Sequence, residues 1–155
     1  MTPAELERYL HRHIPLSEAM AVSVISVSDD AITLSAPLEP NINHRETVFG
    51  GSASAVATLA AWSLLHVRLR NAGLTSQLVI QRNTMDYERP IAGRFEATAT
   101  LADSERWAPF LKMLERRGRG RIQVASVLEF DGEHAGRLIG EFVALRDEPG
   151  QSSGS

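Results

Sequence analysis

The sequence predicts an α+β fold in which one long helix is wrapped by a curved antiparallel sheet of about six strands. Three observations lead there. A nearly charge-free helical run extends from Ser52 to about Asn71. Two β-rich runs precede it and four follow it, so strands and helices do not alternate as they would in a parallel α/β sheet. No internal repeat and no linker interrupts the chain, so residues 1–147 read as one domain. The last eight residues, 148–155 ("EPGQSSGS"), read as a disordered tail.

The elements follow in order. "TPAE" opens a first helix: Thr2 is the candidate N-cap, Pro3 suits the first helical position and Glu5 completes a capping box. Leu6, Tyr9 and Leu10 form its apolar stripe, and Pro15 ends it. "MAVSVISVSDD" and "AITLSAPL" are β-rich runs separated by Asp29-Asp30, a hairpin signal. Asn71-Ala72-Gly73 stops the long helix. "SQLVIQRNTMDYERP" is the next strand, closed by Pro90. In "GRFEATATLA", Phe95, Ala97, Ala99 and Leu101 face one way and Arg94, Glu96, Thr98 and Thr100 the other. "RIQVASVLEF" and "RLIGEFVAL" flank the turn Asp131-Gly132 and read as a final hairpin. Between the fourth and fifth strands lies a helical insertion around Trp107–Arg117, despite Pro109, with Trp107, Phe110, Leu111 and Leu114 on one face. Arg116, Arg117, Arg119 and Arg121 follow. They read either as the solvated end of an amphipathic connector or as a cationic patch for phosphate or an acidic partner.

Composition narrows the function. Of 155 residues, 43% are hydrophobic and 23% charged, a globular balance. A net charge of −3 gives no general attraction to nucleic acid. The absence of cysteine excludes disulfides, thiolate catalysis and thiolate metal sites. The five histidines form no ligand cluster; His11 and His13 cannot face each other on a helix. The longest apolar segment, Ala53–Leu65, is too short to span a bilayer. The start lacks the apolar run of a signal peptide, so a cytoplasmic location is expected.

The long helix carries most of the information. From Ala53 to Leu69 its residues leave almost no polar stripe before His66. A helix apolar all round must be buried all round. Six strands can enclose only part of it, and a second subunit is the natural cover, so a homodimer is expected.

The loop before this helix, "PNINHRETVFGGS", resembles the signature of hotdog-fold acyl-thioester enzymes, in which Asn is followed six residues later by His-Gly-Gly. Asn43 and Gly50-Gly51 fit, and Phe49 stands where the His would be. It is closer to the thioesterase-like family found alone or fused behind an acetyltransferase domain in proteobacteria. Pro40, Asn41, Asn43, Thr47, Phe49, Gly50, Gly51, Ser52, Leu59, Ala60 and Trp62 match that pattern, as does "YERPI", Tyr87–Ile91. The resemblance implies the hotdog fold over nearly the whole chain. It also implies a thioester substrate carried on the phosphopantetheine of acyl carrier protein (ACP) or of CoA, with no further cofactor. Members of that family are reported as malonyl-ACP decarboxylases.

The resemblance turns the glycines into chemistry. The first N–H groups of a helix lack internal partners, and the helix dipole makes that end electropositive. Gly50, Gly51 and Ser52 are therefore expected to form an oxyanion hole for a thioester carbonyl. Asn43, Thr47 and Thr58 are the expected catalytic groups, able to orient a carbonyl or carboxylate. Phe49, Trp62 and Tyr87 are expected to contact substrate, and Arg116, Arg117, Arg119 and Arg121 to bind the carrier. The structural alternative is that Asn43 closes a turn and the glycines allow tight packing.

One departure separates reactions. Thioesterases of the His-Gly-Gly type carry an acid on the helix nine residues after that His, and here the position is Thr58. No acid occurs from Thr47 to Arg70. Hydrolysis needs a carboxylate as nucleophile or base, whereas a malonyl thioester loses its own carboxylate and needs only donors for the enolate. Decarboxylation is therefore the leading expectation. The alternatives are a thioesterase using Glu46, His44 or Asp86, and a non-catalytic acyl-binding module.

Overall fold

In the computed structural model, which describes residues 1–147, the chain opens with a capped helix. The expected tail, 148–155, lies outside the described residues. Helix α1 (Pro3–His13) has the full capping box: the Thr2 hydroxyl accepts from the Glu5 N–H, and the Glu5 carboxylate accepts from the Thr2 N–H. Pro15 ends α1 and also starts a one-turn helix, α2 (Pro15–Ala19), which the sequence pattern did not announce. Proline suits a first helical position, so one residue serves as terminator and initiator.

Strands β1 (Ser23–Val27) and β2 (Ile32–Ala36) form the expected hairpin. Helix α3 (Gly50–Asn71) begins two residues before the expected Ser52, so both glycines are helical. Gly73, at φ +74°, turns the chain away from α3. Strand β3 (Ser76–Tyr87) stops before Pro90, and β4 (Phe95–Leu101) buries Phe95, Ala97 and Ala99 as its alternation requires.

Helix α4 (Trp107–Arg117) occupies the expected insertion and buries Phe110 and Leu114. Pro109 sits in its first turn, where proline is tolerated. Strands β5 (Arg119–Phe130) and β6 (Glu133–Arg146) are longer than expected, and each starts earlier than the sequence suggested. Asp131 (φ +53°) and Gly132 (φ +76°) form the tight turn between them.

The strands make one antiparallel sheet in the order β1-β2-β4-β5-β6-β3. It curves around α3, which packs on β2, β3, β4, β5 and β6. This is the hotdog arrangement that the loop motif implied. The core joins Val56, Leu64 and Leu65 of α3 to Leu34, Phe95, Val124, Leu138 and Phe142 of the sheet. Among the described residues no helix is long and apolar enough to cross a membrane.

One flank of α3 remains half-exposed, at Ser54, Ala55, Thr58, Trp62 and His66. Helix α1 covers its far end through a stack of rings. Tyr9 lies 4.5 Å from His66, Trp62 lies 4.8 Å from His66, and Tyr9 and Trp62 are themselves 6.4 Å apart. The Trp62 Nε1–H donates to the Leu78 carbonyl at 3.0 Å, which ties the stack to β3. The His66 Nε2 has no partner among the described residues and is shielded from solvent. Burial, helped by nearby Arg70 and His13, lowers the His66 pKa from 6.5 to about 4.

The sign of the consequence follows from linkage. Between pH 6.5 and about 4 the unfolded chain binds a proton at His66 that the folded chain does not, so stability falls as the pH drops through that window. The expected result is a lower urea midpoint at pH 5 than at pH 7.5. His66→Leu should shrink that difference. An unchanged pH dependence in the variant would show that His66 is not the group responsible.

Candidate functional site

The site is built where the loop 41–49 delivers the chain to α3. Two asparagines of that loop have different work. Asn41 is buried, and its Nδ2 donates to the carbonyls of Met20 (3.0 Å) and Pro37 (2.8 Å), fastening the loop to the end of α2. Asn43 organises the loop itself. Its Oδ1 accepts from the backbone N–H groups of Arg45 (2.8 Å) and Thr47 (3.1 Å). Its Nδ2 donates to the Thr47 Oγ1 at 2.8 Å and, more weakly, to the Val48 carbonyl at 3.5 Å. These are the side-chain-to-backbone bonds of an asparagine turn, which match the structural alternative raised from the sequence. Glu46 closes the turn at φ +64°, a left-handed conformation that a non-glycine residue adopts at a cost.

Beyond the turn, Ile42 and Val48 form a single β-bridge, and the Val48 N–H donates to the Ile91 carbonyl at 2.8 Å. The Phe49 N–H donates to the Asn41 carbonyl at 2.7 Å. The chain therefore arrives at α3 held on both sides. Phe49 is the N-cap residue and supplies no side-chain acceptor. The N–H groups of Gly50, Gly51 and Ser52 have no hydrogen-bond partner among the described residues. A 22-residue helix thus presents its electropositive end with its first donors free.

The two glycines differ in the room around them. A Cβ on Gly51 would lie 2.5 Å from the Phe49 ring, which rests on that residue. A Cβ on Gly50 would meet the Tyr87 ring at 3.5 Å, an ordinary contact. The Tyr87 hydroxyl donates to the Gly50 carbonyl at 3.2 Å, joining the end of β3 to the start of α3.

A cleft of about 300 Å³ opens at this junction. Thr47, Val48, Gly50, Ala53 and Tyr87 line it, with Glu88, Arg89 and Ile91 from the segment after β3. Phe49 and Tyr87, each 58% exposed, stand at the same end of α3. Glu88 and Arg89 bring an acid and a cation beside Gly50, and neither is among the site residues expected from the sequence. Both belong to "YERPI", a motif that does not encode which of its side chains meet the glycine loop. Arg89 is paired with Glu133 across the strand end. Of the reserve acids, Glu46 and Asp86 are exposed, and Asp86 lies on the sheet face opposite its neighbour Tyr87.

Thr58 and Trp62 are not part of this cleft. They line a second, apolar hollow of about 290 Å³ along the open flank of α3, with Ile14, Leu16, Met20, Ala55, Ile80 and Phe142. One chain thus brings Asn43, Thr47, Gly50 and Tyr87 together and leaves Thr58 and Trp62 apart from them. Arg117, Arg119 and Arg121 line a third hollow of about 340 Å³ with Met113; Arg116 is exposed at the end of α4. Three of the four arginines thus border one hollow. Arg121 is paired with Glu141 at 3.0 Å. Among the described residues no group of acids and histidines is placed to hold a metal.

Comparison with known proteins places these features in context. Residues 3–146 match a family model whose description reads "Putative thioesterase (yiiD_Cterm)". A protein of unknown function from Chlorobaculum tepidum has a similar structure: 28% identity, 94% of this chain and 98% of that one covered, TM-score 0.88. A "putative thioesterase" from Shewanella oneidensis is 25% identical over 92% of this chain and 96% of its own, with a TM-score of 0.81. A thioesterase from Haemophilus influenzae shares the fold at 12% identity and a TM-score of 0.74, covering 98% of this chain and 96% of that one.

The loop geometry makes a prediction independent of any reaction. Asn43→Ala should expose the Arg45 and Thr47 amides, seen as lost protection in hydrogen exchange, at a cost of about 1 kcal/mol of stability. Asn43→Asp keeps the acceptor and should preserve most of that protection. Equal protection in wild type and Asn43→Ala would mean that the side chain does not hold the loop.

Proposed function

This chain belongs to the family described as "Putative thioesterase (yiiD_Cterm)", and on that premise we propose that it acts on an acyl thioester, decarboxylating malonyl-ACP to acetyl-ACP. The observation that carries the reading is the uncapped start of α3 at the mouth of a cleft. A thioester carbonyl bound at that helix end, beside Gly50 of the cleft lining, is assigned to the free donors of Gly50, Gly51 and Ser52. In the reaction, the bond between the malonyl methylene and its carboxylate breaks and CO2 leaves. The electron pair moves into the thioester, whose oxygen becomes an enolate held by those donors. The methylene carbon then takes a proton from water. The thioester itself accepts the electron pair, so the proposed step calls for no metal or redox cofactor. The phosphopantetheine belongs to the substrate, and the cytoplasm is the proposed setting.

Asn43 is assigned as a positioning residue, because its amide is committed to the Thr47 turn. Thr47 lines the cleft and is the hydroxyl assigned to the malonyl carboxylate. Phe49 and Tyr87 flank the entrance.

The proposed working unit is a homodimer. Strand β3 is one of the sheet's two outer strands, twelve residues long, with only β6 beside it among the described residues and Val79 52% exposed. Such an edge invites a second strand. Antiparallel pairing with β3 of another copy would continue the sheet, cover the open flank of α3 and bring the second copy's Thr58 hollow towards this cleft. Light scattering at micromolar concentration should give twice the chain mass; a monomer overturns this arrangement.

A second reading, thioester hydrolysis, is favoured by Glu88, whose presence in the cleft supplies the acid that α3 lacks. A third, binding without turnover, needs only the cleft. Incubation with malonyl-ACP separates the three: acetyl-ACP and CO2 for the first, free ACP thiol for the second, bound but unchanged substrate for the third. Glu88→Gln refines the first two. Decarboxylation should stay within a factor of about two, whereas hydrolysis through Glu88 should fall by about 100-fold or more.

A further inference from the structure

The arginine patch and the cleft lie at opposite ends of the sheet, which creates a problem of reach. Leu128, a cleft residue, pairs with Gly136, while Arg119 pairs with Leu145. The nine residue steps along β6 from Gly136 to Leu145 correspond to about 30 Å at the rise of a strand. The Tyr87 end of β3 is likewise the cleft end, and its Ser76 end, paired with Arg146, is the patch end. A carrier docked on this patch would have to send its thioester the length of its own subunit.

A twofold axis across β3 removes the difficulty. Antiparallel pairing of β3 with its copy about the strand midpoint sets the copy's Ser76 beside Tyr87. The copy's Arg119, level with its Gln77, then stands at the cleft end of the first subunit. It is three strand spacings away, about 14 Å. Resting on the acyl-thioester reading and this dimer, we infer that a carrier docked on one subunit's arginine patch delivers its thioester to the other subunit's cleft.

The patch suits an acidic carrier. Arg117 and Arg119 border a hollow that also holds Met113, 43% exposed, and neither is in an ion pair among the described residues. Arg116 and Lys112 are exposed on the same helix. The acids nearby include Glu141, taken up by Arg121, Glu115 on α4, and Asp103, which lines a neighbouring hollow with Arg121 and Glu141. An apolar spot ringed by cations complements a carrier helix that shows acids around an apolar side chain, and such contacts steer association and weaken with salt.

Mixed dimers test the assignment. Arg117→Glu/Arg119→Glu should first lower kcat/KM for malonyl-ACP, relative to malonyl-pantetheine, by on the order of tenfold. An equal effect on both substrates overturns the docking surface. Two heterodimers, isolated through different tags, then decide the route. One pairs an Asn43→Ala chain with the arginine-reversed chain. Crossed delivery predicts about half of wild-type turnover on malonyl-ACP, since one site has both an intact cleft and an intact opposing patch. Delivery within a subunit predicts almost none. The other pairs wild type with a chain carrying all three changes, and there the outcomes exchange. Tyr87→Ala replaces Asn43→Ala if that variant does not fold. Turnover that survives both site variants overturns the cleft assignment, and delivery with it. A patch effect combined with same-subunit complementation overturns crossed delivery alone.

Discussion

Enclosing α3 is the constraint on which the rest of this structure depends. Eleven of its residues are buried, among them Val56, Leu59, Leu64, Leu65, Val67 and Leu69. Each large apolar side chain removed from water contributes about 1.5–3 kcal/mol. Small residues between them, Ala53, Ala57, Ala60 and Ala61, bring the sheet close to the helix axis. The sheet must curve to keep contact along 22 residues, and its inward residues on β2, β4, β5 and β6 are correspondingly apolar. The same packing holds the helix N-terminus in a fixed place relative to the end of β3.

That fixed place makes the site possible. A helix end is useful as a set of donors only if nothing intramolecular takes them. Here Phe49 cannot cap, and the Asn43 turn spends its acceptor on Arg45 and Thr47 rather than on α3. The loop is tied down by Asn41, by the Val48–Ile91 bond and by the Phe49–Asn41 bond, so leaving the helix donors free does not leave the loop free. The cleft then receives its charged groups from the segment after β3, almost 40 residues later in the chain: Glu88 as an acid and Arg89 as a cation already paired with Glu133.

The flank that the sheet does not reach has its own logic. Ser54, Thr58, Trp62 and His66 recur every fourth residue and share a face of α3. Helix α1 covers the His66 end with the Tyr9 ring, while the Thr58 end stays open beside an unpaired strand edge. An open helix face next to an open sheet edge is a surface that one twofold contact can close in both respects. The proposed chemistry and the proposed carrier route both depend on that closure.

Much of the architecture was legible in the residues. Thr2-Pro3-Glu5 determined the first cap because capping is a local bond pattern. The alternation of Phe95, Ala97 and Ala99 determined which face of β4 is buried, because side chains alternate in any strand. The run of apolar residues from Ala53 determined that α3 is central. The loop motif pointed to the candidate site, since Asn43, Thr47 and Gly50-Gly51 are close in sequence. Only the tertiary structure decided that Gly50 and Gly51 lie within the helix, because the neighbouring chain sets where helical dihedrals begin. It alone placed Glu88 and Arg89 beside the glycines and Thr58 away from them. Those relations are fixed by how β3 pairs with β6 and packs on α3, contacts between residues far apart in the chain that no local pattern encodes.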